Sequence, residues 1–399
     1  MITITSYLHR SALQHLIRRW MYHQADPADA EAITRLVHFN NAFVSRYLKC
    51  FAEQLFGQLH AAPLVARAST RKADLKDAIV NHCPTRNPRI EEMLSGYRVE
   101  PGKFYRETPF NGLLYFVQGV DGPAIVGSSR IKRSRRLGEK IARRIIDQIY
   151  TSIKDRAELL ARDRALRAGV PVASLITPPE EMIAEFLGAE SRLLEDLKMG
   201  RPILTEENLV IQDVAGVKVI VEDDRRVRLV EQIALLDRCQ IVEIEEHRGK
   251  YNAVNLIVRY TPDREALTAA SLSTAMGERM GLRGYDPTDL QRQFRQFVLT
   301  AEPYVHLEVI LCNYQEMLES ELGTCMHEDR IEQQRITQQY NGQLARNIEF
   351  LIAYLFAFAA STRTEMGELP IRLWDRYLPD YFDEVLMGLY GIPRVEIME

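Results

Sequence analysis

The sequence predicts an α+β fold, with a mixed sheet of about five strands between residues 111 and 312 flanked by helices. Three observations predict it. Short β-branched runs recur at Val214–Val221, Ile241–Ile244, Val254–Tyr260 and Val305–Leu311, with the length and composition of strands. Helical periodicity lies between and around these runs, as in a sheet covered by helices. The stretches 1–100 and 336–399 read as helix, which makes them helical N- and C-terminal regions around a core at 101–335.

The first helical signals are local. Asp26-Pro27 is a helix start, a capping side chain followed by proline at the first helical position. Phe43, Tyr47, Phe51 and Leu55 then repeat at i, i+4 along Ala42–Phe56, one face of a helix. Pro84, Asn87 and Pro88 punctuate the end of this region. Asp121-Gly122 between Leu113–Val117 and Ala124–Val126 predicts a hairpin. A long helix follows from about Ser134 to Arg167, with Leu137, Ile141, Ile145, Ile149 and Ile153 as its apolar stripe and Arg136, Lys140 and Arg144 as a basic row beside it. A second helix over Pro179–Lys198 ends at Gly200 with Pro202 beyond, and the two make a helical insertion at about 141–205. Val214–Val221 is almost wholly apolar, as a central strand buried on both faces should be. A helix over Val227–Leu236 and two strands joined by the charged turn Glu245–Lys250 come next. Helical segments around Ala266–Met280 and Thr288–Thr300 lead to the last strand, Val305–Leu311.

Composition narrows the function classes. The 399 residues are too many for one compact core. A net charge of -4 argues against general nucleic-acid coating, so any basic function is local. Cys50, Cys83, Cys239, Cys312 and Cys325 are odd in number and lack metal-ligand spacing, which predicts reduced thiols and a cytoplasmic setting. The arginine-bearing N-terminal stretch has no continuous apolar run, so a secretory signal is not expected. Phe350–Ala360 is the most apolar run, and it is shorter than the ~20 residues a membrane span needs, so a buried helix and no membrane partner are expected.

Three pieces carry candidate chemistry. Arg130-Ile131-Lys132 is followed at helical spacing by Arg136 and Lys140. Asp213 stands at the mouth of a buried strand, with Lys218 five residues on. Glu308 lies between Leu307 and Val309, and alternation puts it on the opposite face from both. Polyphosphate transfer needs cations against phosphate charge and a divalent metal to bridge the phosphates. Magnesium takes oxygen ligands, commonly one or two carboxylates with substrate phosphates. Asp213 and Glu308 on neighbouring strands have the right chemistry for such a metal, and a second carboxylate can accept the proton of an attacking hydroxyl. Each piece alone has an ordinary explanation: a solvated helix face, a turn residue, an exposed strand edge.

In order and placement these segments resemble the RelA/SpoT-like alarmone synthetases. Ser129–Lys140 is similar to their R-x-K-x-x-x-S-x-x-x-K opening, and Gln212–Ile220 to their D-x-x-A/G-x-R strand. Gly249–Asn255 falls where the family has N-G-Y-x-S-x-H, and His306–Leu311 where it has V-E-I/V-Q-I-R. The resemblance covers roughly residues 125–330, in islands. It implies a magnesium-dependent transfer of pyrophosphate from ATP to the ribose 3′-hydroxyl of a guanine nucleotide. Carried over by position, Arg130, Lys132 and Lys140 contact ATP, Asp213 holds magnesium, Tyr251 stacks on guanine, and Glu308 serves the metal or the proton at the acceptor hydroxyl. Several positions depart from the pattern. The family serine is Arg136, the strand arginine is Lys218, the glycine before the tyrosine is Lys250, and the terminal histidine is Asn255. Lysine keeps the charge of arginine and loses its bidentate fork. The acceptor side departs more than the ATP side, so another acceptor, including an RNA end, fits the same chemistry. No histidine–aspartate pair marks an alarmone hydrolase in the first third. The rival expectation is a nucleotide-binding or scaffolding protein that retains the fold without the reaction, and a third is an oligomeric or partner-binding module built on the extra helices.

Overall fold

A computed structural model describes residues 2–83, 87–119, 122–174, 178–203, 209–249, 251–337 and 340–392. Pro84, Asp121 and Lys250, named above, lie outside the described residues. The strands are β1 (Ile2–Ile4), β2 (Leu64–Arg71), β3 (Pro109–Gly119), β4 (Gly122–Ile131), β5 (Leu209–Ile211), β6 (Ala215–Ile220), β7 (Cys239–His247), β8 (Ala253–Tyr260) and β9 (Val305–Cys312). They form a mixed seven-stranded sheet of order β2-β3-β4-β6-β9-β8-β7, and β1 pairs with β5 apart from it. Within the large sheet only β6 and β9 run parallel. The four strands that carry motif residues are contiguous, β4-β6-β9-β8.

The α+β class is present, and the sheet is larger than the expected five strands. The stretch 1–100 is also not wholly helical, since it supplies β1 and the edge strand β2. The reason is physical. Leu64–Arg71 pairs its backbone with β3 while most of its side chains face solvent, so it carries little of the apolar alternation that marks a strand. Ile2–Ile4 is only three residues long and is held by Leu209–Ile211.

One sheet face is packed by the long helix Asp29–Leu59. Phe43, Tyr47, Phe51 and Phe56 of that helix are fully buried in one cluster with Val217, Val219, Leu307, Val309 and Leu311. Contact is close enough that a Cβ on Gly127 of β4 would lie 2.5 Å from the Phe56 ring. The other face is covered in part by helices Lys72–Asn81, Pro88–Val99 and Tyr314–Leu322, which bury Leu75, Ile79, Ile90, Leu94, Met317 and Leu318 against Leu114 and Phe116. Asn87 caps the second of these helices ahead of Pro88, and Asn313 with Glu316 forms a capping box on the third. The helix Ser134–Ala168 ends at Gly169, whose φ of 67° suits glycine. Its apolar stripe packs on Gln343–Ala360, the buried helix expected from the apolar run. Among the described residues no helix is long and apolar enough to cross a membrane.

Candidate functional site

Strand register gathers the site. Gly112, Arg130, Gly216, Glu308 and Ile257 are successive cross-strand partners, and so are Leu114, Ser128, Lys218, Ile310 and Asn255. Partners across a sheet project from the same face. Arg130, Lys218, Glu308 and Asn255 therefore share the face opposite the Asp29–Leu59 helix, while Leu307 and Val309 point into the core at 0 % exposure. Gly216, between Arg130 and Glu308, leaves that part of the face without a side chain.

Glu308 is the acid of this face. Its side chain is 12 % exposed, with Arg130 Nη2 at 3.8 Å from Oε2. Asn255 Nδ2 donates to Oε1 at 3.4 Å. Burial pushes the Glu308 carboxyl above its usual range; Arg130 pulls it down and Asp213 pushes it up. The two expected carboxylates therefore sense one another.

Asp213 precedes β6 and is reached from two directions. Lys132 follows β4 and Lys140 lies in the second turn of Ser134–Ala168, and their ammonium groups donate to Asp213 Oδ2 at 2.7 and 2.6 Å. Burial alone would raise the Asp213 carboxyl, but Lys132 and Lys140 overcome it and hold the group well below the usual carboxylate range. Burial brings the Lys132 ammonium down to about 8 despite Asp213, with Lys140 and Arg130 acting in the same direction as burial. Asp213 Oδ1 is buried and has no hydrogen-bond partner, and the same holds for Asn255 Oδ1.

The other expected residues are placed differently. Arg136 pairs with Glu139, which also meets Arg335, so it does not join the Asp213 group. Lys218 donates to Ser320 Oγ at 3.1 Å and lies 3.6 Å from Glu321 Oε1. Tyr251 does not offer both ring faces, because the Arg330 guanidinium lies over it at 4.3 Å from the centroid.

Sequence reasoning missed a layer of charge beneath this face. Lys72, Lys76, Glu321 and Glu328 are all buried. Lys72 Nζ lies 2.6 Å from Glu321 and 3.5 Å from Glu328, and Lys76 Nζ lies 3.5 Å from Glu328. His327 Nε2 is 3.3 Å from Arg130 Nη1. Burial, then the charges of Arg130, Lys72 and Lys218, keep that imidazole well below its usual range, hence neutral. The only sequence signal was Lys72 and Lys76 at i, i+4, a pair that usually lies in solvent. Among these ion-paired groups six cations, Arg130, Lys132, Lys140, Lys218, Lys72 and Lys76, meet four acids, Asp213, Glu308, Glu321 and Glu328, an excess of two positive charges. Such a face suits an anionic ligand.

Comparison with protein-family models, with curated proteins and with solved structures found no match to this chain.

Proposed function

We propose that the chain is a magnesium-dependent nucleotide pyrophosphotransferase of the RelA/SpoT-like type, with ATP as donor and a ribose 3′-hydroxyl of a guanine nucleotide or other acceptor, including an RNA end. The observation that carries the reading is the union of Arg130, Gly216 and Glu308 in one cross-strand row, beside Asp213 and its two lysines. The contiguity of all motif-bearing strands supports it as well.

In this reading Arg130, Lys132 and Lys140 grip the ATP phosphates. The two lysines exchange the Asp213 carboxylate for phosphoryl oxygens when ATP arrives. The acceptor hydroxyl oxygen attacks the β-phosphorus, the bond from that phosphorus to the α,β-bridging oxygen breaks, and AMP departs. Glu308 takes the hydroxyl proton. Asn255 orients Glu308 through the contact to Oε1. Among the described residues no group of three or more metal-ligating side chains gathers; what supports magnesium is the buried, unpartnered oxygen of Asp213 and the hard oxygen ligands of both acids, with substrate phosphates completing the set. Asp213 and Glu308 would hold the ion, which would offset charge on the phosphates.

A second reading has its own observation. Arg330 covers a face of Tyr251, and a guanine stacking there must displace it. That favours a nucleotide-binding or scaffolding protein that retains the fold, or an enzyme with a changed acceptor. Calorimetry tests the donor half of both. ATP–magnesium should bind, and Lys140→Met should weaken it by about tenfold, the worth of one charge-assisted contact of about 1.4 kcal/mol. GDP should bind more weakly than ATP. Tight GDP binding with no ATP binding would contradict the assignment of the donor side.

A further inference from the structure

A pocket opens on this sheet face, with Lys72, Phe110, Ser128, Arg130, Lys218 and Glu321 in its lining. Its floor is β4 and β6, which bring Arg130 and Lys218 of the motif segments, and its wall is the helix Lys72–Asn81 with Phe110 of β3, which lie outside those segments. Lys72 and Lys218 approach from opposite sides and meet on Glu321, one on each carboxylate oxygen, at 2.6 and 3.6 Å. We propose that this pocket binds a terminal phosphoryl group through Lys72 and Lys218, beside the Arg130 that grips ATP, and that Glu321 is the internal counter-ion the ligand displaces. The identity of that ligand as the acceptor nucleotide's phosphate rests on the reading above; the pocket's preference for a phosphoryl group does not.

Charge is the first argument. Lys72, Lys76, Arg130 and Lys218 bring four positive charges, and Glu308, Glu321 and Glu328 bring three negative ones. With Glu321 turned away, two positive charges remain uncompensated, which matches a phosphomonoester dianion. Position is the second. Glu321 stands in the last turn of Tyr314–Leu322, where the helix dipole disfavours an acid. It is 3 % exposed there, and among the described residues its ion-pair partners are lysines, Lys72 and Lys218. Burial raises its carboxyl, but Lys72, Lys218 and Lys76 overcome it and hold the group below the usual carboxylate range, so it stays ionised as a resident anion. Adjacency is the third. Arg130 touches both this pocket and Glu308, so a phosphoryl group here sits next to the acid proposed to serve the acceptor hydroxyl. A merely structural ion pair would be replaceable by apolar residues at little cost and needs no pocket beside it.

The test uses inorganic pyrophosphate and inorganic phosphate as calorimetric probes at low ionic strength, with sodium chloride at matched ionic strength as control. GDP is the third arm and separates a nucleotide-borne phosphate from a free one. Glu321→Gln removes the resident anion and should tighten pyrophosphate binding by about tenfold or more; unchanged or weaker binding overturns the proposal. Because that variant leaves two lysines without their acid and risks misfolding, Lys72→Met/Glu321→Gln is made beside it. The double variant keeps the net charge and removes both partners of the closest pair. It should bind pyrophosphate at least about tenfold more weakly than the wild type. Equal affinity would place the anion on other cations and overturn the proposal. Neither result depends on turnover: loss of transfer chemistry with this pattern intact would leave the pocket standing, and transfer without the pattern would remove the pocket alone.

Discussion

Glu308→Gln separates stability from activity. Glutamine keeps the shape, removes the charge and cannot act as a base. The folded-state carboxyl is raised above its ordinary value of 4.5, mainly by burial. Between 4.5 and the raised value the folded chain binds more protons than the unfolded one, so stability falls as pH rises through that window. Wherever Glu308 is ionised it is therefore a cost that Arg130, at 3.8 Å, offsets only in part. Glutamine relieves that cost and can still accept from Asn255. The expected change is neutral to a gain of about 1 kcal/mol, a rise of about 1–2 °C in Tm for a chain of this size. Transfer should fall by about 10²–10⁴, the span for loss of a general base, or about 3–5 kcal/mol in barrier. Thermal melting with and without ATP–magnesium and a labelled-ATP assay read the two effects separately. Wild-type turnover that survives the substitution would remove Glu308 from the mechanism. A large loss of stability would refute the burial argument.

Other substitutions probe neighbouring parts of the site. Asp213→Asn leaves Lys132 and Lys140 without their acid, and chemical denaturation at pH 7 should show a loss of about 3 kcal/mol, the cost of breaking a largely buried pair. In the wild type that contribution is present above pH 3.8 and is lost as pH falls through the depressed carboxyl, so the variant and wild-type acid unfolding curves should converge at low pH. Lys132 is lowered from 10.5 to about 8, so between those values the unfolded chain holds more protons and stability should rise with pH; Lys132→Met should abolish that slope in denaturation curves. Gly127→Ala should cost at least about 2 kcal/mol, because its Cβ would lie 2.3 Å from the Lys218 carbonyl oxygen and 2.5 Å from Phe56. Gly216→Ala meets nothing closer than 3.5 Å and should be neutral or stabilising by about 0.5–1 kcal/mol in melting experiments, while narrowing the space beside Glu308 and weakening ligand binding.

Much of the scaffold was legible because its signals are local. Val217 and Val219 sit in an uninterrupted apolar run, as a strand packed on both sides requires. Pro179–Lys198 was bounded by its own proline and glycine. The alternation of Leu307, Glu308 and Val309 correctly turned the glutamate away from the core. β2 was not legible, since Arg67 and Arg71 make it resemble any polar connection and only pairing with β3 defines it. Lys72, Glu321 and Glu328 were invisible for a related reason. A buried lysine and a solvated one look alike until the partner, some 250 positions away, is brought beside it. Arg136 shows the converse: its place in the basic row suggested a shared task with Lys140, but Glu139, three residues on, claims it.

The most direct test follows label from ATP to an acceptor. Purified chain is incubated with magnesium and ATP labelled separately at the α- and γ-phosphates, in the presence of GDP, GTP or RNA, and products are separated. The account predicts that γ-label moves to an acceptor while α-label appears in AMP, in equal amounts and only with magnesium. ATP that binds yet remains intact with every acceptor would contradict the transferase and leave the nucleotide-binding protein in its place.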